Sequence, residues 1–153
     1  MTAAPRHTAT RNAKGAVVTT QDARTGLEWS ATLSAKRVTH AAAAKLVAKL
    51  NKELAAGEPQ WRMPTVEELF LIADRTKRMP AIDTEAFPDT KSDWYWTSTI
   101  SAWSSDYAWI VSFDGGYSDV SHRDYDVAFV RAVRELPASQ SLGSLPSGQA
   151  GTP

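Results

Sequence analysis

Apolar and polar positions change rhythm three times along the chain. Ala16–Thr20 is a short β-prone run, and Thr25-Gly26 marks a turn before Leu27–Trp29. Ala42, Leu46, Leu50 and Leu54 then recur at four-residue steps, with Lys45, Lys49 and Lys52 largely turned away. That spacing predicts an amphipathic helix with Thr39 as its N-cap and Gly57 and Pro59 past its end. A second helix is announced by Pro64-Thr65-Val66-Glu67-Glu68, where Thr65 and Glu68 form a capping box. Leu69, Phe70, Ile72 and Ala73 give it a broad apolar face, and Arg75–Arg78 lies where the helix dipole favours positive charge.

From Trp94 onward the period becomes that of strands. Tyr95–Thr99 is one candidate, and Trp109, Val111 and Phe113 alternate with Ile110 and Ser112 before the hairpin signal Asp114-Gly115-Gly116. The return run Tyr117–Arg123 is polar almost throughout, as an exposed edge would be. Val127–Val133 carries apolar residues on both parities, the pattern of a strand buried on both faces. The order predicts an α+β fold: helices packed on a small, mostly antiparallel sheet, with N- and C-terminal strands together.

At 153 residues the chain suits one domain. Residues 1–14 lack large apolar side chains and are expected to form a flexible N-terminus. Residues 136–153, rich in Ser, Gly and Pro, read as a disordered tail, leaving a folded unit of 15–135. Lys plus Arg and Asp plus Glu both number 17, which argues against a nucleic-acid partner. There is no cysteine, so disulfides, thiol catalysis and Cys-based metal sites are excluded. No stretch suits membrane insertion and no secretory signal is legible, so synthesis in the cytoplasm is expected, with association with a virion as a further option.

One ordered set of motifs runs through this frame. It comprises Asp22-x-x-Thr25-Gly26-Leu27-x-Trp29, Trp61-Arg62-Met63-Pro64-Thr65-x-x-Glu68-Leu69, Phe87-Pro88, Tyr95-Trp96-Thr97-Ser98-Thr99, Ala108-Trp109-x-Val111-x-Phe113-x-x-Gly116 and Val130-Arg131-x-Val133-Arg134. Over about Asp22 to Arg134 the chain resembles the C-terminal domain family of bacterial collagen-like adhesins, the Lcl type. The resemblance implies a C-type-lectin-like fold used for binding, often of glycans or cell surfaces. It also implies a disulfide in exported relatives, at positions held here by Val47 and Ala132. Through the wider fold it implies kinship with phage tail tips and with the variable proteins of diversity-generating retroelements. Some relatives form trimers, so a homo-oligomer is a further option.

Ten of the fourteen aromatic residues lie between Trp94 and Phe129. Trp96, Trp109, Phe113 and Phe129 are expected in the core, with Trp29 and Trp61 structural too. Arg62 and Arg134 are candidates for ion pairs with Glu68 or a nearby acid. Trp103, Tyr107, Tyr117 and Tyr125 differ, because their neighbours include Ser105, Asp106, Asp114, Asp119, His122, Arg123 and Asp124. Rigid aromatic area mixed with adaptable hydrogen-bonding groups is the composition of a paratope. These eleven residues are the expected ligand-binding set, with a cell-surface glycan or protein as partner.

Charge bears on the ligand. Residues 81–126 contain nine acids against two basic residues, Lys91 and Arg123, which would repel a sulfated polysaccharide. No metal-binding spacing is present, and Glu58-Pro59-Gln60 reads as a helix-ending loop. No nucleophile motif or phosphate loop is present, so no enzyme, cofactor or metal is expected. The expected function is a non-enzymatic adhesion module, as a phage or prophage host-recognition protein or a diversified binding protein. The alternative is a structural tail component packed against phage tail proteins.

Overall fold

The computed structural model describes residues 4–136. In chain order the elements are β1 (His7–Arg11), β2 (Val17–Asp22), β3 (Leu27–Thr32), α1 (His40–Asn51), α2 (Val66–Leu71), β4 (Trp94–Ile100), β5 (Tyr107–Ser112), β6 (Tyr117–His122) and β7 (Arg131–Glu135). The fold is α+β. It holds two antiparallel sheets where one was expected, β1-β2-β3-β7 and β4-β5-β6. The N-terminal strands and the C-terminal strand share one sheet, joined by the β3–β7 pair, with β1 at the edge away from β7.

The division into two sheets follows from the segment before β7. Its residues make only isolated bridges, Val38 with Ala128 and Tyr95 with Phe129, as the chain passes between the sheets. Phe129 and Val133 enter one buried cluster with Leu27, Trp29, Leu69, Ile82, Phe87, Tyr95, Val111 and Phe113. Ala128, Val130 and Ala132 enter another, with Ala43, Val47, Trp61, Met63, Trp96 and Ile110. Burial on both faces thus has a physical origin: each parity serves a different core. Val47 and Ala132, where the resemblance implies a disulfide, are apolar members of one cluster.

The expectation of a loose start is corrected, because β1 lies within it. A polar strand lacks apolar patterning but still gains an antiparallel ladder against β2, with one register shift between Thr10 and Arg11. Arg6 anchors it by donating from Nε and Nη2 to the buried Asp22 carboxylate, at 2.9 and 2.7 Å. Asp22 also accepts from the Arg24 amide at 3.0 Å, which shapes the turn to Gly26 at φ 73°. The tail expected at 136–153 lies outside the described residues apart from Leu136, whose amide donates to the Gly26 carbonyl.

Thr39 caps α1, but the deepest stripe is His40, Ala43 and Val47, with Leu46 and Leu50 only partly buried. The helix stops at Asn51, short of Gly57. There the Asn51 side chain bonds both the amide and the carbonyl of Trp61, at 2.7 and 2.9 Å. At α2 the capping box forms as read, and Glu68 also receives a bidentate Arg62 at 2.6 and 2.8 Å. Arg134 pairs with the buried Glu28 at 2.8 Å and stacks on Trp61, 4.5 Å from the ring centroid. The ion pairs expected of both arginines are therefore present.

Candidate binding face

Strand register decides what the second sheet displays. In the β5–β6 pair Tyr107 stands opposite His122, Trp109 opposite Val120 and Val111 opposite Ser118. Directly opposed residues share a face, and residues two apart on a strand share it too. One side of the hairpin therefore carries Tyr107, Trp109, Val111, Ser118, Val120 and His122.

At the open end of this hairpin four rings form a continuous row. Trp103 lies 5.0 Å from Tyr107 by ring centroid, Tyr107 5.1 Å from His122, and His122 stacks on Tyr125 at 4.3 Å. The end rings are the most open: Trp103 is 69% exposed and Tyr125 83%. Exposed apolar area gathered in one place is unusual on a domain surface and marks contact sites.

The row is held by its backbone. In the loop after β4, Ser101 donates to the Tyr107 carbonyl at 2.8 Å and Tyr107 to that of Ser104 at 3.2 Å. In the loop after β6, the Asp126 carboxylate accepts from the His122 amide and the Ser121 hydroxyl, both at 2.8 Å. These bonds, the amide first, hold Asp126 below the usual carboxylate pKa. The Asp124 amide donates to His122 Nδ1 at 3.2 Å, fixing that ring for its stack on Tyr125.

Arg123 joins the two loops. Its amide donates to the Asp106 carbonyl at 2.8 Å, and its Nη1 to the Ser105 carbonyl at 3.1 Å. Its Nε approaches His40 Nδ1 at 3.4 Å, while His40 Nε2 donates to the Thr97 carbonyl at 2.9 Å. His40 is buried against the Trp96 ring, 5.0 Å away edge-on. Burial first, and then the Arg123 charge, push its pKa below the usual histidine value. Arg123, read from sequence as a ligand contact, is placed as a clamp between α1 and the row.

Next to the row, on the same face, α2 and the sheet leave a groove of about 360 Å³ lined by Val66, Glu67, Phe70, Thr99, Trp109 and Ser118. Trp109 is thus half-buried and wall-forming, a correction to its expected place in the core. Alternation along β5 is equally consistent with a core tryptophan. The groove leaves this one half-covered, with Val66, Glu67 and Phe70 of α2 lining the same space. Phe70 is held from outside by Arg75, whose guanidinium lies 4.0 Å from the ring centroid and whose Nε donates to the Gly116 carbonyl at 2.8 Å.

The expected binding residues do not all converge. Trp103, Ser105, Asp106, Tyr107, His122, Arg123, Asp124 and Tyr125 gather at the row. Asp114 and Tyr117 belong to the opposite end of the hairpin, where Tyr117 packs edge-on against Trp94 at 5.5 Å. Asp119, opposite Ile110, is on the other side of the sheet. The groove residues Val66, Glu67, Phe70, Thr99, Trp109 and Ser118 were not in the expected set: the first four belong to a helix and a strand read as structural, Trp109 was assigned to the core, and Ser118 is a small residue on a polar edge.

Among the described residues no cluster of three or more His, Asp or Glu is placed to hold a metal ion. Among them no helix is long and apolar enough to cross a membrane. No curated protein and no solved structure matches the chain. A family model, that of the Lcl C-terminal domain, matches residues 18–134, which take in both helices, the aromatic face and the strands from β2 to β7 but leave out β1. By that match the chain belongs to the Lcl C-terminal domain family.

Proposed function

We propose that the protein is a non-enzymatic adhesion module that engages a cell-surface glycan or protein through the row Trp103–Tyr107–His122–Tyr125. The observation that carries this reading is the contiguity of the four rings, with the outermost two open to solvent. Family membership supports an adhesin-like or binding role. The α+β arrangement, with the N-terminal strands and the C-terminal strand in one sheet, supports a C-type-lectin-like fold. A host-recognition role on a phage particle is the biological setting the reading favours.

The chemistry is one of contact without turnover. Aromatic faces take up the apolar faces of sugars or side chains, while Ser105, Asp106 and Asp124 offer polar groups at their edges. The rigid frame keeps ordering losses on binding small. Replacing Trp103, Tyr107 and Tyr125 together with Ala tests the reading by whole-cell binding and thermal unfolding. Binding is expected to fall roughly a hundredfold or more, since anchor aromatics contribute about 2 kcal/mol each and 1.4 kcal/mol is tenfold. The unfolding midpoint should stay within a few degrees. Unchanged cell binding by a folded triple variant would refute this function and favour a structural tail component.

A further inference from the structure

The groove and the ring row lie end to end on one face. Tyr107, in the row, and Trp109, in the groove wall, are two residues apart on β5, so their Cα atoms stand roughly 7 Å apart. The geometry points to a single elongated site that takes an uncharged, linear, β-linked glycan, with the groove holding the part of the chain beyond the row. This inference rests on the adhesion reading above and adds the groove, the ligand's shape and its charge.

Three features select that ligand. First, the lining alternates in character: Phe70 and Trp109 contribute aromatic area to the groove, and Thr99, Ser118 and Glu67 supply polar atoms among them. A β-linked chain is an extended ribbon whose sugar rings expose apolar faces and hydroxyl edges in alternation, which matches this arrangement. Second, the surroundings are acidic. Glu67 lies at the groove, and Asp106, Asp124 and Asp126 adjoin the row; the neighbouring Arg123 gives Nε and Nη1 to His40 and to the Ser105 carbonyl. These four acids outnumber the two neighbouring cations, Arg123 and the Arg75 that lies over the Phe70 ring, so a sulfated or uronic-acid chain would meet a net negative surface. Third, the walls are held in place before any ligand arrives. Arg75 clamps Phe70, and the Thr97 hydroxyl donates to the Trp109 carbonyl at 2.8 Å.

The test is a titration of the full chain with neutral cello- and xylo-oligosaccharides, from disaccharide to hexasaccharide, followed by tryptophan fluorescence and calorimetry. Affinity is expected to rise with length, by about tenfold or more across the series, the gain of one added aromatic contact with its buried area. Trp109→Ala should abolish the gain with length and leave disaccharide binding in place. Ser118→Trp fills the groove from an exposed position, so it should have the same effect even if Trp109→Ala fails to fold. Absence of binding by the neutral series, affinity independent of length, a gain that survives both variants, or tighter binding of dextran sulfate would each overturn the inference. Cell binding that needs Trp103, Tyr107 and Tyr125 but ignores both groove variants would also overturn it, while leaving the adhesion reading intact.

Discussion

Mild acid should loosen this domain through two histidines, the buried His40 and the half-buried His7, and the size of the effect follows from their surroundings. His40 is enclosed by the Trp96 ring and the Thr97 carbonyl from β4, and by the Arg123 guanidinium from the loop after β6. His7 packs edge-on against Phe87 at 5.1 Å, flanked by Arg6 and with Asp22 and Asp83 each 3.8 Å away. Burial is the largest influence on both and lowers both pKa values in the folded state. The unfolded chain therefore takes up protons first as pH falls through the ordinary histidine value of about 6.5. Stability is complete above that value and is lost below it. At pH 5.5, a histidine that stays neutral in the fold forfeits about 1.4 kcal/mol, so the two together forfeit about 3 kcal/mol at most.

The carboxylates with lowered pKa values do not obscure this window. Asp22, Glu68, Asp74 and Asp126 have lowered pKa values, so what they contribute is lost only as pH falls below the ordinary carboxylate range. Urea unfolding at pH 7.5 and 5.5, followed by tryptophan fluorescence, measures the difference directly. His40→Gln keeps a donor for the Thr97 carbonyl and should remove about half of the pH dependence; His7→Gln should remove the other half. A pH dependence that both single variants leave unchanged would refute the reasoning.

Other substitutions probe the frame. Arg134→Met leaves Glu28 buried beside an uncharged partner and should destabilise the domain by about 3–5 kcal/mol, whereas Glu28→Leu together with Arg134→Met should recover most of that loss. Equal unfolding midpoints for the single and double variants would refute the pairing. Thr65→Ala removes the acceptor for the Glu68 amide at 3.2 Å and should cost about 1 kcal/mol, read from the urea midpoint. A change below a few tenths of a kcal/mol would mean that α2 is held by packing alone.

The frame was legible where local chemistry sufficed. Thr65 and Glu68 specify a helix start within four residues, and Asp114-Gly115-Gly116 specifies a hairpin, with Gly116 at φ 82° as a turn requires. Arg62 and Arg134 could be assigned partners because a charge near the core demands one. The strand β1 was not legible, since its stability comes from a ladder and from an ion pair sixteen positions away, neither of which leaves an apolar pattern. The stripe on α1 was legible in part: Leu46, Leu50 and Leu54 do pack against the second cluster, while the deepest positions lie beside them. Its four-residue spacing fits more than one helix face, and the core selected the one bearing His40.

For the site, the sequence by itself determined the ingredients: an aromatic excess in the second half, mixed with Ser and Asp and poor in basic residues. It also determined the period that sends Tyr107 and Trp109 to one side of a strand. Tertiary structure alone decided which of those residues meet. Register set Tyr107 against His122 and sent Tyr117 and Asp119 elsewhere, because opposed positions share a face and a one-residue step reverses it. The packing of α2 across β5 left Trp109 half-covered, which turned an expected core residue into a wall of the groove. Composition is a property of the chain, whereas adjacency belongs to the pairing of segments far apart in it.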